Sequence, residues 1–234
     1  MAKMNKIYAT NKSEMINVLS AIDIKVPLRS EGRTNDHCEK WSICYWLSTY
    51  PNFTYPILLI HRDRPDFYIK FGEQEVGIEH TEAIPSDYAH ADAIYEKKDD
   101  DNAVLDMSLF RWGQKKKNRE VSEIVSRTKL TGPGWEGDSP EIEWAEAMAD
   151  IINNKTTKLR KNEFDKFSAN YLLIYDNLPR PNIDFSKSIS QLMASLNAYW
   201  GSGIIFDIIF VQTDDLLMSF DSSTYKKFKN NKIW

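Results

Sequence analysis

Cysteine and histidine are scarce. The 234 residues hold two cysteines, Cys38 and Cys44, and four histidines at scattered positions. No zinc-type spacing arises, and reduced thiols fit an intracellular protein. No run approaches about eighteen apolar residues, and Met1-Ala2-Lys3-Met4-Asn5-Lys6 lacks an apolar core of signal-peptide length. The expectation is a soluble, cytoplasmic chain with no membrane partner. A basic excess is missing too: 30 Lys and Arg against 34 Asp and Glu give a net charge of −4. Any binding of nucleic acid has to use a local patch. Gly132-Pro133-Gly134 has neither the spacing nor the strand-to-helix context of a phosphate loop, no Gly-x-Ser-x-Gly occurs, and neither cysteine has a readable histidine partner.

What is present is a foldable chain. A hydrophobic share of 42% with 12% aromatic residues indicates a globular protein, and the length suits one domain over residues 1–234 with a sizeable insertion. The stretch that organises it runs from Pro65 to Thr81. Phe67, Ile69 and Phe71 alternate, a turn contains Gly72, and Val76 and Ile78 alternate with Glu75, Gly77 and Glu79, which predicts a β-hairpin. Strand side chains alternate between faces, so Glu79 and Thr81 share one face and Asp66 lies beside them.

The flanks complete an order of elements. Met15, Val18, Leu19 and Ile22 have helical spacing after Ser13. A second helix, rich in apolar residues, spans about Asn35 to Tyr50 and stops at Pro51. Pro56 to Ile60 is an apolar run suited to a buried strand. Residues 82–138 read as an insertion with too little apolar sequence for a core of its own. Ser139-Pro140-Glu141 opens a helix reaching about Lys161. Asn170 to Asp176 is a strand, Ile189 to Tyr199 a helix closed by Gly201, and Ile204 to Val211 a last strand. The remainder, with Lys226, Lys227, Lys229 and Lys232, reads as a basic tail that frays or touches a polyanion.

Pro65-Asp66, twelve intervening residues and then Glu79-His80-Thr81 resembles the PD-(D/E)xK nuclease superfamily, with Thr81 where that family has lysine. The order of elements from about Asn35 to Val211 is similar to the family's as well. The resemblance implies an α/β fold with a restriction-endonuclease-like αβββαβ core, at about 35–81 and 139–211, and an insertion at about 82–138. It implies a metal-dependent nuclease acting on DNA, in a restriction or anti-phage setting, and a possible homodimer.

It also implies site residues. Asp66, Glu79 and the backbone carbonyl of His80 would hold Mg²⁺ or Mn²⁺, with Glu39 from the first core helix completing the shell; hard oxygen donors suit such ions. Glu39 has another use, because Asp36-x-x-Glu39 also reads as a capping box. Thr81 offers a hydroxyl and no positive charge. Lys155 falls within the apolar face of its helix, where a lysine either snorkels to the edge or meets acids. Lys155 is therefore the first candidate for the missing lysine, Lys158 the second and Lys70 the third. His80 has the opposite strand face and reads as packing, Glu82 as an exposed acid or extra ligand, and His61 and His90 receive no role. The most basic run carries Arg111, Trp112, Lys115, Lys116, Lys117 and Arg119; it reads as a grip on a nucleic-acid strand or as a solvated loop. A nuclease-fold binding module without catalysis is the alternative function, carried by Thr81.

Overall fold

The computed structural model describes residues 5–98, 102–231 and 233–234. Among the described residues the elements run β1 (Lys6–Ala9), α1 (Lys12–Ser20), α2 (Asn35–Thr49), β2 (Ile57–His61), β3 (Phe67–Phe71), β4 (Gln74–Ala83), α3 (Ser86–Tyr95), α4 (Asn118–Val125), α5 (Ser139–Leu159), β5 (Ala169–Asp176), α6 (Phe185–Leu196), β6 (Ile208–Gln212), β7 (Leu216–Phe220) and β8 (Tyr225–Lys229). The strands make one eight-stranded mixed sheet in sequence order. β1 to β4 are antiparallel, β4, β5 and β6 are parallel, and β7 and β8 return antiparallel. No helix is long and apolar enough to cross a membrane among the described residues.

Each sheet face is covered by helices because the central strands carry apolar side chains on both sides. Val76, Ile78, Tyr171 and Leu173 pack with Ile43, Cys44, Trp46 and Leu47 of α2 and with Met15 and Leu19 of α1. Leu172 and Ile174 pack on the other face with Trp144, Met148, Ile151 and Ile152 of α5 and Ile189, Leu192 and Leu196 of α6. The region between β4 and α5 gathers its own small cluster of Ala91, Phe110, Val121, Ile124 and Val125. That is more core than its sparse apolar sequence suggests. It is tied to the main body by Arg29, whose guanidinium meets Asp92 at 3.3 Å, and by the Ser30 amide, which donates to Glu96 at 2.7 Å.

Three expectations about the elements are corrected. Lys226, Lys227 and Lys229 do not fray: Tyr225–Lys229 is an edge strand laddered to β7, while Lys232 lies outside the described residues. The strand expected from Ile204 begins at Ile208, since residues 204–207 lead in from the helix before it. The amino-terminal strand β1 and the strand β7 are additions to the expected order.

The hairpin of β3 and β4 forms as the alternation predicts, with Gly72 taking the left-handed φ of 57° its tight turn demands. Gly77 has a different task. A Cβ there would stand 2.6 Å from Phe167 Cδ2 and 2.9 Å from Pro65 Cγ. Only hydrogen at that position lets Pro65 fold against β4 and set Asp66 beside it.

Candidate active site

The β3 ladder ends where Phe67 faces Ile78, but β4 continues to Ala83 paired with β5 alone. Beyond Ile78 the other edge of β4 therefore presents backbone groups that need partners. Asp66 supplies one: its Oδ2 accepts from the His80 amide at 2.7 Å. Lys155 supplies the second, donating to the His80 carbonyl at 2.8 Å. The same ammonium donates to Glu79 Oε1 at 2.7 Å. Two candidate acids, the carbonyl proposed as a ligand and the first-ranked lysine thus meet at one gap in the sheet.

Around the gap is a cleft of about 370 Å³ lined by Arg29, Asn35, Cys38, Glu39, Asp66, His80, Thr81, Glu82, Ile84 and Lys155. Asp66 also borders a neighbouring hollow with Glu79, Arg64, Lys158 and Lys161. Lys158 is therefore close by but in the adjoining space. Lys70, the third candidate, is excluded: it faces Glu75 across the hairpin at 3.6 Å with a side chain 43% exposed.

The electrostatics are those of crowded acids. Burial, then Glu79, and more weakly Glu39, push the Asp66 carboxyl up to about 7, against the pull of the His80 amide and Lys155. Burial and the nearby Lys155 charge depress His80 to about 3, so its imidazole is neutral at ordinary pH. The ring lies on the α2 face of the sheet, with Nε2 3.0 Å from the buried Ser42 hydroxyl. That is the packing role expected of it. Neither thiol is activated: burial and Glu82 raise Cys38, and burial raises Cys44 to about 12.

Glu39 lines the cleft with Asp66, as expected of an acid from the first core helix, but its capping reading is corrected. The cap of α2 is made by Thr34 and His37, with the Thr34 amide donating to His37 Nδ1 at 3.1 Å, so Glu39 is not used as a capping acid. Its Oε2 instead lies 2.9 Å from His61 Nε2. Among the described residues, the group of acids and histidines whose ligand atoms lie within 4.8 Å of one another is Asp36, Glu39 and His61, and not Asp66, Glu79 and Glu39. Lys155 bonds Glu79, and His61 pairs with Glu39, so each of these two acids already has a partner of its own.

Glu82 is a second correction. It is not an exposed acid, because its Oε1 accepts from Arg29 at 2.7 Å, Arg33 at 2.8 Å and Asn177 at 2.6 Å. This ties the polar loop before α2 to the end of β4 and fixes one wall of the cleft.

The basic run is largely occupied. Arg111 Nη1 donates to both carboxylate oxygens of Glu143 at 2.6 and 2.7 Å, Nη2 donates to the Gly134 carbonyl, and the guanidinium stacks over Trp135 at 4.1 Å. Trp112 donates to Asp150 at 3.1 Å. Lys116 and Arg119 face Glu120 and Glu123 one turn along, at 3.7 and 2.9 Å. Arg111 and Trp112 are thus structural contacts, and Lys115 and Lys117 are the exposed lysines of the run.

Asp66 and Glu79 would offer oxygen donors to a divalent cation only by turning toward one another, since their ligand atoms are not gathered as those of Asp36, Glu39 and His61 are. Asp66 borders both the cleft and the adjoining hollow, Glu79 borders the hollow, and the Lys155 ammonium bonds Glu79 and the His80 carbonyl. Comparison with protein-family models, curated proteins and solved structures yields no match for this chain.

Proposed function

We propose that the protein is a metal-dependent nuclease of the restriction-endonuclease-like kind, hydrolysing phosphodiester bonds of DNA, with Lys155 supplying from α5 the positive charge that Thr81 lacks. One observation supports this above the others: the ammonium of Lys155 reaches Glu79 and the His80 carbonyl beside Asp66, across a separation of 76 residues. The order helix, three strands, insertion, helix, strand, helix, strand also accompanies the motif from α2 to β6.

Phosphodiester hydrolysis needs a water placed in line with the leaving oxygen and stabilisation of the charge that builds on the phosphate. Asp66 and Glu79, with the His80 carbonyl, would hold Mg²⁺ or Mn²⁺. When bound, such a cation neutralises phosphate charge and acidifies water. Lys155 adds a second positive charge at the same carboxylates and fixes the rotamer of Glu79. Asp66 holds a cation only as the anion, so burial and Glu79, which raise its pKa, oppose the cation at low pH and the cation in turn draws the proton off. Lys158 and Lys161 line the adjoining hollow with Asp66 and Glu79, and would there neutralise phosphates of a bound strand.

A specific observation also favours a catalytically silent nucleic-acid-binding module: Lys155 already satisfies Glu79 and His80, the groups a cation would use. Plasmid and single-stranded DNA incubated with Mg²⁺ or Mn²⁺ separate the two. The nuclease cuts, and both Asp66→Ala and Glu79→Ala abolish cutting. Absence of cutting under either cation, with salt-sensitive DNA binding intact, establishes the silent module instead.

A further inference from the structure

We infer that Asp36, Glu39 and His61 form a second cation site, one that takes a borderline transition metal such as Mn²⁺, Co²⁺ or Zn²⁺ in preference to Mg²⁺. It differs from the Asp66 and Glu79 site in its donors, and it does not depend on the nuclease proposal. A nitrogen donor among carboxylates shifts preference toward later first-row metals, whereas an all-oxygen set suits Mg²⁺.

The donors come from two elements. Asp36 and Glu39 are three apart on α2 and so share a helix face. His61 ends β2, with its ring tilted against Phe67 at 4.9 Å and its side chain 9% exposed. Packing thus fixes the imidazole with Nε2 toward α2. Capping of α2 by Thr34 and His37 spares both acids for other work.

The spacing is that of adjacent ligands. Glu39 Oε2 and His61 Nε2 are hydrogen-bonded at 2.9 Å, and a cation held by both would take the place of the proton between them. Two donors at about 2.1 Å from one metal, that far from each other, subtend about a right angle at it. All three ligand atoms fall within 4.8 Å of one another, and opposite ligands on one metal are about 4.2 Å apart. Asp36 is exposed, so its carboxylate can turn toward a bound ion without disturbing the core. Glu39 also lines the cleft that holds Asp66, which sets the two sites side by side.

The test is Co²⁺ titration of the full chain, by calorimetry and visible absorption, with Mg²⁺ in large excess to fill an all-oxygen site. The expected result is Co²⁺ binding that resists Mg²⁺. His61→Ala, checked for folding by circular dichroism, removes it by about a hundredfold or more, since altering even groups behind the ligands costs 10–100-fold. Asp36→Asn, at an exposed position that leaves the fold intact, weakens it about tenfold. Asp66→Asn retains it. Absence of Mg²⁺-resistant Co²⁺ binding overturns the site, as does wild-type affinity in either His61→Ala or Asp36→Asn, or loss of Co²⁺ in Asp66→Asn. DNA cutting measured on the same variants reports the nuclease proposal separately, so failure of one is distinguishable from failure of the other.

Discussion

Lys155 Nζ on α5 and Glu79 Oε1 on β4 are 2.7 Å apart, with side chains only 16% and 11% exposed. Truncating the lysine leaves Glu79 and the His80 carbonyl without their donor. Lys155→Ala should lower stability by up to about 3 kcal/mol, read in urea unfolding, because a mostly buried carboxylate loses its counter-charge. Cutting should fall about 100-fold or more, the usual cost of removing one preorganised positive group. Thr81 lines the same cleft as Lys155. Adding Thr81→Lys to Lys155→Ala should therefore return part of the cutting; a double variant as inactive as the single one would place residue 81 out of reach of the reacting phosphate.

Asp66 makes stability depend on pH. Burial and Glu79 raise its carboxyl to about 7, well above the ordinary aspartate range, so the folded state holds the proton more tightly than the unfolded chain. The resulting stabilisation is complete below about pH 4 and is lost as pH rises through about 7. His80 acts in the opposite sense, since burial and Lys155 lower it to about 3, below the ordinary histidine value: its contribution is present above that ordinary value and is lost as pH falls toward 3. The difference between wild type and Asp66→Asn isolates the first effect. Melting temperatures of the two should diverge between pH 5 and 8, with the wild type declining relative to the variant; parallel curves would show that Asp66 titrates as an ordinary carboxyl. Mg²⁺ should oppose the decline, because it binds the ionised form.

Gly77 admits a local test of how Asp66 is positioned. A methyl group there meets Phe167 and Pro65 at 2.6 and 2.9 Å, both being rings held in place. Gly77→Ala should cost about 1–3 kcal/mol by overpacking. Because Pro65 carries Asp66, cutting should fall further than the lost stability explains, measured at a temperature where both proteins are folded. Unchanged cutting would mean that Asp66 keeps its place without that close approach.

Much of the centre was legible and the margins were not, for physical reasons. The hairpin of β3 and β4 shows a period of two with a glycine turn, both local signals, and Lys155 broke an otherwise apolar helix face. By contrast β8 reads Tyr-Lys-Lys-Phe-Lys with mostly exposed side chains, the composition of a tail. It is a strand because β7 offers it a ladder, and its lysines are what an unpaired outer edge carries to deter further pairing. Glu82 appeared to be a surface acid because its partners Arg29, Arg33 and Asn177 come from two distant segments. His61 was overlooked likewise, since its pairing with Glu39 crosses 22 residues and leaves no spacing motif; the one available signal was an Asp and a Glu three apart on a helix that another residue caps.

The basic run separates two kinds of cation. Arg111, with a side chain 15% exposed, donates to Glu143 and stacks on Trp135, so Arg111→Ala leaves a carboxylate and an indole N–H at 3.2 Å without the guanidinium that organises them. Its expected cost is about 2–3 kcal/mol in unfolding, by loss of a charge-assisted hydrogen bond that Nη1 shares between both Glu143 oxygens. Lys115 and Lys117 are exposed, and their joint replacement by alanine should change stability by no more than about 0.5 kcal/mol. If the loop grips a strand, that double variant should bind DNA more weakly and with a log–log salt slope shallower by about 2, one unit for each lost phosphate contact. An unaltered salt slope would assign the lysines to solvent, and the strand path would then follow Lys158 and Lys161 beside Asp66 and Glu79.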